Sequence, residues 1–344
     1  MKVSIIIPTY QEMKWIEKCL LSLLKNNLNV GEAEILIVDG ISTDGTRNIV
    51  SQYIAKYPGL IRMIDNSRSF QVFGLNEAIR EAKGEIIIRC DAHSQYPDGY
   101  VETLFGWHEK NVADNIGGCW DTLPGAGTAK AKGIAIAMTS PAGVGFSYRT
   151  AHGTNPRYVD TVPFGSWKRS LFDEVGFFDE RFIRAQDLEH NVRMKKMGKK
   201  IMLLPWLKIK YHARDSWRKI FEMFFQYGYW KNKINKKHKI LTTWRQIVPP
   251  LFLLGAIFLL LGSISFLYLR ELAVICFLSY FLILFAVSVS LVRKQAQPAE
   301  LSFYVATSFV VIHLAYALGY CKGLWDYFIL NRDDEPNHVK NLTR

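Results

Sequence analysis

The chain has 344 residues, of which 49% are hydrophobic and 22% charged, and its formal net charge is +12 at pH 7. This length, with the apolar residues spread unevenly, excludes a single ordinary core and predicts one globular domain joined to a different kind of segment. The five cysteines show neither the spacing of a metal site nor that of a disulfide framework, so we expect reduced thiols.

Strands and helices are predicted to alternate over the first part of the chain. The apolar run at residues 3–8 predicts a strand, and the helical spacing of apolar residues after Trp15 predicts a helix that continues to about Asn26. Such an alternation is typical of an α/β protein with a doubly wound, mostly parallel sheet. Further strands are predicted at 34–38, at 60–64 and from Glu85, and further helices are predicted from the turn at 39–46 to Tyr57 and at 72–82.

The last of these strands begins the stretch Glu-Ile-Ile-Ile-Arg-Cys-Asp-Ala-His at residues 85–93. Its three isoleucines predict a buried strand, and Asp91 and His93 stand just past its end. Open α/β sheets bind ligands beyond the carboxyl ends of their strands, so both side chains are expected to line a crevice. A polar turn without a binding role is the alternative interpretation.

Two earlier strands also lead into carboxylates, because Glu12 follows the first strand and Asp39 follows the second. Neither G-x-G-x-x-G nor G-x-x-x-x-G-K-[ST] follows any predicted strand, which excludes a glycine loop as the phosphate site. Carboxylates bind base and ribose through hydrogen bonds and bind phosphate through a divalent cation. A metal-bound nucleotide diphosphate is therefore the expected ligand.

Three segments occur in an order and spacing that resemble family 2 glycosyltransferases, nucleotide-sugar enzymes of the GT-A fold. They are residues 7–12, residues 38–46, and residues 76–93 with Asn76, Ala82, Gly84 and Asp-Ala-His. The resemblance implies that Pro8, Thr9 and Glu12 edge the nucleotide pocket. It also implies that Asp39 accepts a hydrogen bond from the base and that Asp91 reaches the ribose and the metal-bound diphosphate.

The chain departs from the family at His93, where the third motif usually ends in Asp. The divalent metal would then be held by Asp91 and His93. Imidazole suits later first-row metals better than Mg²⁺, so we predict a preference for Mn²⁺ over Mg²⁺.

Three later segments, at 162–169, 175–180 and 185–189, resemble the acceptor side of the family. By this resemblance Trp167 lies at the acceptor and Asp187 takes the place of the catalytic base. An inverting transfer needs such a carboxylate, because the attacking acceptor hydroxyl must lose a proton. Gln186 stands where the family commonly has Glu. The alternative role for Asp187 is to cap a helix predicted at 188–197.

Two further elements follow the acceptor segments. In related enzymes a histidine at the position of His212 can complete the metal shell, and a structural histidine is the alternative. Residues 226–230 resemble the Q-x-x-R-W element of processive polysaccharide synthases, which implies that Gln226 and Trp230 contact the acceptor. Tyr229 replaces the arginine of that element, which argues against synthesis of long chains.

A basic, amphipathic stretch precedes the apolar end of the chain. Between Arg193 and Arg245 there are 16 Lys or Arg against two acidic residues, a local charge of +14. Aromatic residues from Trp217 to Tyr229 share one helical face, which predicts a helix that lies in the membrane interface or packs on the core. The charge indicates a cytoplasmic membrane face that would touch anionic headgroups or a pyrophosphate lipid. A solvated basic face is the alternative, and nucleic acid is not expected beside membrane spans.

Three apolar runs, at 247–269, 272–292 and 302–321, are each long enough to span a bilayer. The short charged link Arg270-Glu271 predicts that the first two form a tight hairpin or are partly re-entrant. No secretory signal is expected at the start of the chain, so the first domain is predicted to lie in the cytoplasm. The predicted organisation is a GT-A domain at 1–215, a basic amphipathic segment at 216–246, about three transmembrane helices at 247–330 and a polar tail at 331–344.

The resemblance is strongest to membrane-bound enzymes of bacterial exopolysaccharide assembly, of the succinoglycan type. It implies an inverting glycosyltransferase in the bacterial inner membrane that adds one sugar, with a UDP-hexose as the expected donor, to a polyprenyl-diphosphate-linked acceptor. Transfer to polyprenyl phosphate itself and processive synthesis are alternative enzyme functions. A non-catalytic scaffold that binds nucleotide sugar or anionic lipid is the alternative from another class.

Overall fold

A computed structural model of the chain describes residues 1–26, 28–145 and 153–332. Its elements up to residue 196 are β1 (Val3–Thr9), α1 (Ile16–Leu24), β2 (Ala33–Asp39), α2 (Thr46–Lys56), β3 (Ile61–Asp65), α3 (Gln71–Glu81), β4 (Ile86–Arg89), β5 (Ser94–Gln95), α4 (Tyr100–Glu109), β6 (Asn115–Leu123), α5 (Ala129–Met138), α6 (Pro141–Val144), β7 (Arg157–Tyr158), β8 (Ser166–Lys168), α7 (Leu171–Val175) and α8 (Gln186–Lys196). The remaining elements are β9 (Ile201–His212), α9 (Trp217–His238), α10 (Val248–Gly262), α11 (Leu267–Lys294) and α12 (Leu301–Leu324).

The sheet confirms the predicted α/β architecture. Its first four strands lie in the order β3-β2-β1-β4 and are parallel, with helices in the connections, as in a doubly wound fold. The sheet then turns mixed, because β8 pairs antiparallel with both β4 and β6. The carboxyl ends of β1, β2 and β4 therefore meet at one edge, where Thr9, Asp39 and Arg89 are their last residues.

The chain folds into two compact units, and the first comprises Met1–Asp121 and Ala151–Tyr211. Its core forms because β1, β2 and β4 consist mostly of aliphatic residues, and α3 packs on β1 and β2, as strands buried in a sheet require. One core cluster joins Ile6, Leu36 and Ile87 of the sheet to Leu75 of α3 and to Trp167. This packing fixes the strand ends on which the polar side chains stand.

The second unit comprises Thr122–Thr150 and His212–Arg344. In it α9 packs closely on α12 through glycine: a Cβ on Gly319 would lie 2.0 Å from the carbonyl oxygen of Phe225, and one on Gly228 would lie 2.2 Å from that of Tyr316. Small residues at such contacts let two helix backbones approach closely. The aromatic face of α9 is thus partly covered by α12.

Helix α5 also belongs to the second unit, although it comes from the middle of the sequence. Seven of its ten residues are buried, and a Cβ on Gly133 would lie 2.5 Å from the Cβ of Tyr304 in α12. A polar contact holds the next segment, because His313 in α12 meets the carbonyl oxygen of Ala142 (2.7 Å) and the hydroxyl of Tyr280 in α11 (2.9 Å). The predicted domain limits at 215, 246 and 330 remain predictions.

Three helices within the described residues are long and apolar enough to cross a membrane: Trp244–Gly262, Leu267–Lys294 and Leu301–Ile329. The predicted break at Arg270-Glu271 is wrong, because these residues lie inside α11 and the chain turns at residues 263–266. Gly262 and Ser263 end the first helix, and Phe266 N–H returns to the carbonyl of Gly262 (3.0 Å). Glycine and serine favour a helix end, whereas single charges are tolerated within a helix.

Candidate active site

The end of β4 places two charged side chains in the first unit, Arg89 and Asp91. Both are largely buried, with 3% of Arg89 and 7% of Asp91 exposed. The backbone of Asp91 is fixed because its N–H donates to the hydroxyl of Tyr96 (2.7 Å). The carboxylate of Asp91 therefore has a defined position beyond the strand.

Arg89 connects Asp91 to Asp187. Its Nε donates to Oδ1 of Asp91 (3.1 Å), its Nη2 approaches Oδ2 of the same carboxylate (3.4 Å), and its Nη1 pairs with Asp187. A buried guanidinium requires acceptors of this kind, and the planar fork suits two carboxylates at once. The residue predicted to hold the donor and the residue predicted to act as base thus share one cation.

A second chain of contacts links the same two segments through neutral amides. Gln71 at the start of α3 donates from Nε2 to Oδ1 of Asp91 (3.3 Å), and Gln186 donates from Nε2 to Oε1 of Gln71 (2.8 Å). Gln186 directly precedes Asp187 in the first turn of α8. The start of α8 is therefore joined to Asp91 by two side-chain bridges.

The surroundings of Asp187 suit a proton acceptor. Burial raises the pKa of its carboxyl, Asp91 acts in the same direction, and Arg89 opposes both. The Asp187 side chain nevertheless keeps 36% of its surface exposed, so a hydroxyl can reach it. Asp187 is engaged with Arg89, and the residue at the N-cap of α8 is Ala185, which makes no side-chain cap.

Left-handed backbone at non-glycine residues is found throughout these loops. Each such residue costs on the order of 1–3 kcal/mol and persists where the surroundings over-determine the backbone, as at functional sites. Contacts tie these positions to the site: Ser69 Oγ donates to the carbonyl of Gly40, and the ring of Phe164 lies 5.8 Å from the Arg89 guanidinium. The residues are Gln11 (φ 55°), Ile41 (61°), Ser69 (57°), Phe164 (64°) and Ala185 (57°).

The loops after β1 and β2 are joined to each other. The N–H of Gln11 donates to Ser42 Oγ (2.9 Å) and that of Glu12 donates to Thr46 Oγ1 (2.8 Å). Pro8 and Thr9 end β1 in buried positions, and Thr9 Oγ1 donates to the carbonyl of Ile7 (3.2 Å). These predicted nucleotide-binding residues therefore lie together at the sheet edge.

Asp39 is fully buried at the end of β2. Its carboxylate accepts from the N–H (2.8 Å) and Oγ (2.7 Å) of Ser42, and Arg47 contacts it at 3.0 Å. These bonds hold the turn of the second motif. That Asp39 accepts a hydrogen bond from a base remains a prediction, and the present contacts give Asp39 a structural role as well.

The predicted metal ligands are placed as follows. His93 is close to Glu12, with Nδ1 and Oε1 3.3 Å apart, and it follows Asp91 by two residues. His212 begins the second segment of the second unit, where its Nδ1 is 3.4 Å from the carbonyl oxygen of Pro124. In residues 1–26, 28–145 and 153–332, no group of three or more His, Cys, Asp or Glu side chains is arranged to hold a metal ion. The oxygen and nitrogen donors of Asp91 and His93 fit a divalent cation that arrives with a diphosphate.

The three residues predicted at the acceptor are buried. Trp167 is 2% exposed and packs edge-on against Phe178, whereas Gln226 is 5% and Trp230 0% exposed within the second unit. Tyr229, at the position of the arginine in Q-x-x-R-W, donates to the carboxylate of Asp326 (3.0 Å). Direct contact of Trp167, Gln226 and Trp230 with an acceptor remains a prediction.

Arg89, Gln71 and Tyr96 are the site residues that sequence reasoning missed. A signal existed for Arg89, because a charged side chain inside an apolar strand needs a buried partner. Nothing in the local pattern pointed to Gln71 or Tyr96, since their partners come from distant segments.

A mixed sheet with carboxylates at its strand ends, and a further carboxylate held beside them, is the arrangement expected of a glycosyltransferase of the GT-A fold. The sequence matches the family described as Glycosyl transferase family 2 over residues 4–176, and the chain belongs to this family. It is 32% identical over 248 residues to the succinoglycan biosynthesis protein ExoA of Rhizobium meliloti (strain 1021), covering 71% of this chain and 73% of that protein.

Two further comparisons extend over nearly the whole chain. The sequence is 26% identical to the dolichyl N-acetyl-alpha-D-glucosaminyl phosphate 3-beta-D-2,3-diacetamido-2,3-dideoxy-beta-D-glucuronosyltransferase of Methanococcus voltae, over 94% of this chain and 97% of that protein. The mannosyltransferase PcManGT from Pyrobaculum calidifontis, solved with GDP-Man and Mn²⁺, is similar in structure with a TM-score of 0.59 and 18% identity, over 94% of this chain and 87% of that one. The likeness supports the GT-A-like fold.

Proposed function

We propose that the protein is an inverting glycosyltransferase that moves one hexose from a UDP-sugar to a lipid-linked oligosaccharide in exopolysaccharide assembly. The observation that carries the proposal is the shared contact of Asp91 and Asp187 with Arg89. At the edge of the sheet, the carboxylate proposed to bind the donor and the carboxylate proposed to act as base thus contact the same guanidinium. The likeness to a succinoglycan biosynthesis protein and to a transferase named for a dolichyl sugar phosphate supports a lipid-linked acceptor.

These positions support the following reaction. The acceptor hydroxyl oxygen forms a bond to the anomeric carbon, the bond from that carbon to the diphosphate oxygen breaks, and the configuration inverts. The hydroxyl proton passes to the carboxylate of Asp187, whose raised pKa suits a general base. The nucleoside diphosphate leaves with the electron pair of the broken bond.

Asp91 and His93 would hold a divalent cation, with the diphosphate oxygens supplying further ligands. When bound, such a cation neutralises the charge that develops on the leaving diphosphate. Glu12 lies beside His93, and its carboxylate would accept a hydrogen bond from Nδ1 and so orient the imidazole ring. The neighbour solved with GDP-Man and Mn²⁺ is consistent with Mn²⁺ as the cation.

The three apolar helices and the basic stretch before them support attachment to the bacterial inner membrane with the catalytic unit in the cytoplasm. A polyprenyl-diphosphate acceptor would then be presented at the same membrane face that carries the positive charge. Nucleic acid is not a proposed partner.

The test is transfer by the full-length protein in membranes that contain polyprenyl-diphosphate-linked oligosaccharides. Radiolabelled UDP-hexoses are supplied one at a time, and the lipid extract is analysed by mass. The expected product is the acceptor plus one hexose, and Asp187→Asn should not form it. Label on polyprenyl phosphate alone would support the first alternative, and a ladder of products would support processive synthesis. If the protein shows no transfer and no metal-dependent hydrolysis of any nucleotide sugar, the proposal is overturned in favour of a scaffold.

A further inference from the structure

The start of α8 is held to Asp91 by two independent bridges. One runs from Asp91 through Arg89 to Asp187, and the other runs from Asp91 through Gln71 to Gln186. The partners are far apart in sequence, since 98 residues separate Arg89 from Asp187 and 115 separate Gln71 from Gln186. We call these four side chains together with Asp91 the carboxylate clamp.

Charge explains why a cation is needed inside the clamp. Asp91 and Asp187 would repel each other if both were ionised at a largely buried site, and Arg89 is placed between them. Its guanidinium has donors in a rigid fork, so it fixes the direction of each carboxylate as well as balancing its charge. A lysine at this position would keep the charge and lose the fork.

The amide bridge has a direction that depends on Gln186. Only the NH₂ of Gln71 can donate to Asp91, so its carbonyl must face Gln186, and Gln186 must in turn present its NH₂. A glutamate at 186 could only accept when ionised. It would face the Gln71 carbonyl or force Gln71 to turn its carbonyl towards Asp91, and either arrangement breaks the bridge.

We propose that Arg89 is a positioning residue, supported by the Gln71–Gln186 bridge, that fixes the base Asp187 relative to Asp91 before substrates bind. This inference rests on the proposed function, because it assigns a role in the transfer reaction. It assigns to Gln186 the role of amide donor, and it explains why the acidic residue common at this position of the family does not suit this chain. All five members of the carboxylate clamp are side chains of the protein, so the clamp forms without the divalent cation or the sugar donor.

The first test compares Arg89→Lys and Arg89→Met in the full-length protein. With donor and acceptor saturating, Arg89→Met should lower kcat by about a hundredfold, the scale of a misplaced catalytic group, and Arg89→Lys should recover part of that loss. KM for the donor should change much less than kcat. Arg157→Met, at an exposed residue of β7, is the matched control and should behave as the wild type.

Two readouts independent of turnover separate positioning from a merely structural role. Thermal unfolding shows whether each variant is folded, and calorimetric binding of UDP in EDTA shows whether the nucleotide pocket survives without metal. Positioning predicts folded variants that bind UDP and turn over slowly. A folded Arg89→Met protein with wild-type kcat, or equal losses in Arg89→Lys and Arg89→Met, would overturn the inference.

A second variant keeps the inference testable if Arg89→Met does not fold. Gln186→Glu changes one amide to a carboxylate and should lower kcat about tenfold or more while UDP binding in EDTA persists. Gln52→Glu makes the same change at an exposed residue of α2 and should have no effect. Wild-type kcat in Gln186→Glu would remove the amide bridge from the inference. If the wild-type protein itself transfers no sugar, the proposed function fails, whereas an active wild type with unaffected clamp variants refutes only the clamp.

Discussion

The carboxylate of Asp187 lies against the guanidinium of Arg89, although 98 residues separate them in the sequence. The alternative interpretation, in which Asp187 caps the helix, is wrong, because α8 begins at Gln186 and Asp187 lies inside its first turn. The contact with Arg89 also joins the last residue of the buried strand β4 to the first turn of α8, so the predicted base is anchored to the core of the first unit.

Replacement of the base is the most direct test of the reaction. Asp187→Asn keeps the size of the side chain and removes the proton acceptor, so kcat should fall by about 10²–10⁴-fold. Binding of UDP should persist, because Asp187 is not among the residues at the ends of β1 and β2. Single-turnover transfer and calorimetric UDP binding measure the two effects, and near-normal turnover would remove Asp187 from the role of base.

The pH profile of kcat should reflect Asp187. Because burial raises its pKa, the carboxylate becomes protonated as the pH falls through a value above that of an ordinary aspartate, and activity is lost on that acid side. Above this pKa the base is ionised and activity is retained. Arg89→Met should move the acid limb to higher pH, since the cation that opposes protonation is gone. Rates from pH 4 to 8 at fixed metal test this, and an unchanged limb would contradict it.

The metal preference should depend on His93. Replacement by the residue usual in the family, His93→Asp, exchanges imidazole for a harder oxygen donor, so the ratio of activity with Mn²⁺ to activity with Mg²⁺ should fall. His93→Ala serves as the control and should lower activity with both metals. Titration of each metal into chelator-treated protein gives the ratio. A wild-type protein that works clearly better with Mg²⁺ would refute the preference.

The packing of α9 on α12 should tolerate no added methyl group. Gly319→Ala would place a Cβ 2.0 Å from the Phe225 carbonyl oxygen, so it should lower the free energy of unfolding by about 1–3 kcal/mol. The matched control is Gly255→Ala in α10, where nothing lies within 4 Å of the added Cβ. That change should be neutral or stabilising by about 0.5–1 kcal/mol, because alanine favours a helix. Thermal unfolding in detergent compares the two, and equal shifts would argue against the close contact.

Strand and helix positions up to β4 could be predicted from the sequence because each is encoded locally by hydrophobic spacing and turn residues. Asp91 and Asp187 could be singled out because the family motifs surround them. Arg89 as their link could not, since the contact depends on how α8 docks against the sheet. The same holds for Trp167, whose motif suggested the acceptor but whose side chain completes the core. The charged pair Arg270-Glu271 predicts the break between the first two apolar helices in the wrong place, because the first helix ends at Gly262 and Ser263.

Residues Thr122–Thr150 leave the first unit and return to it, so the chain passes between the units at three places: after Asp121, before Ala151 and after Tyr211. A protein cut off after residue 215 would keep α5 and lose α12, which covers the buried side of α5. The freed apolar helix would favour aggregation of such a fragment. We therefore expect that residues 1–215 cannot be produced as a soluble protein without α12.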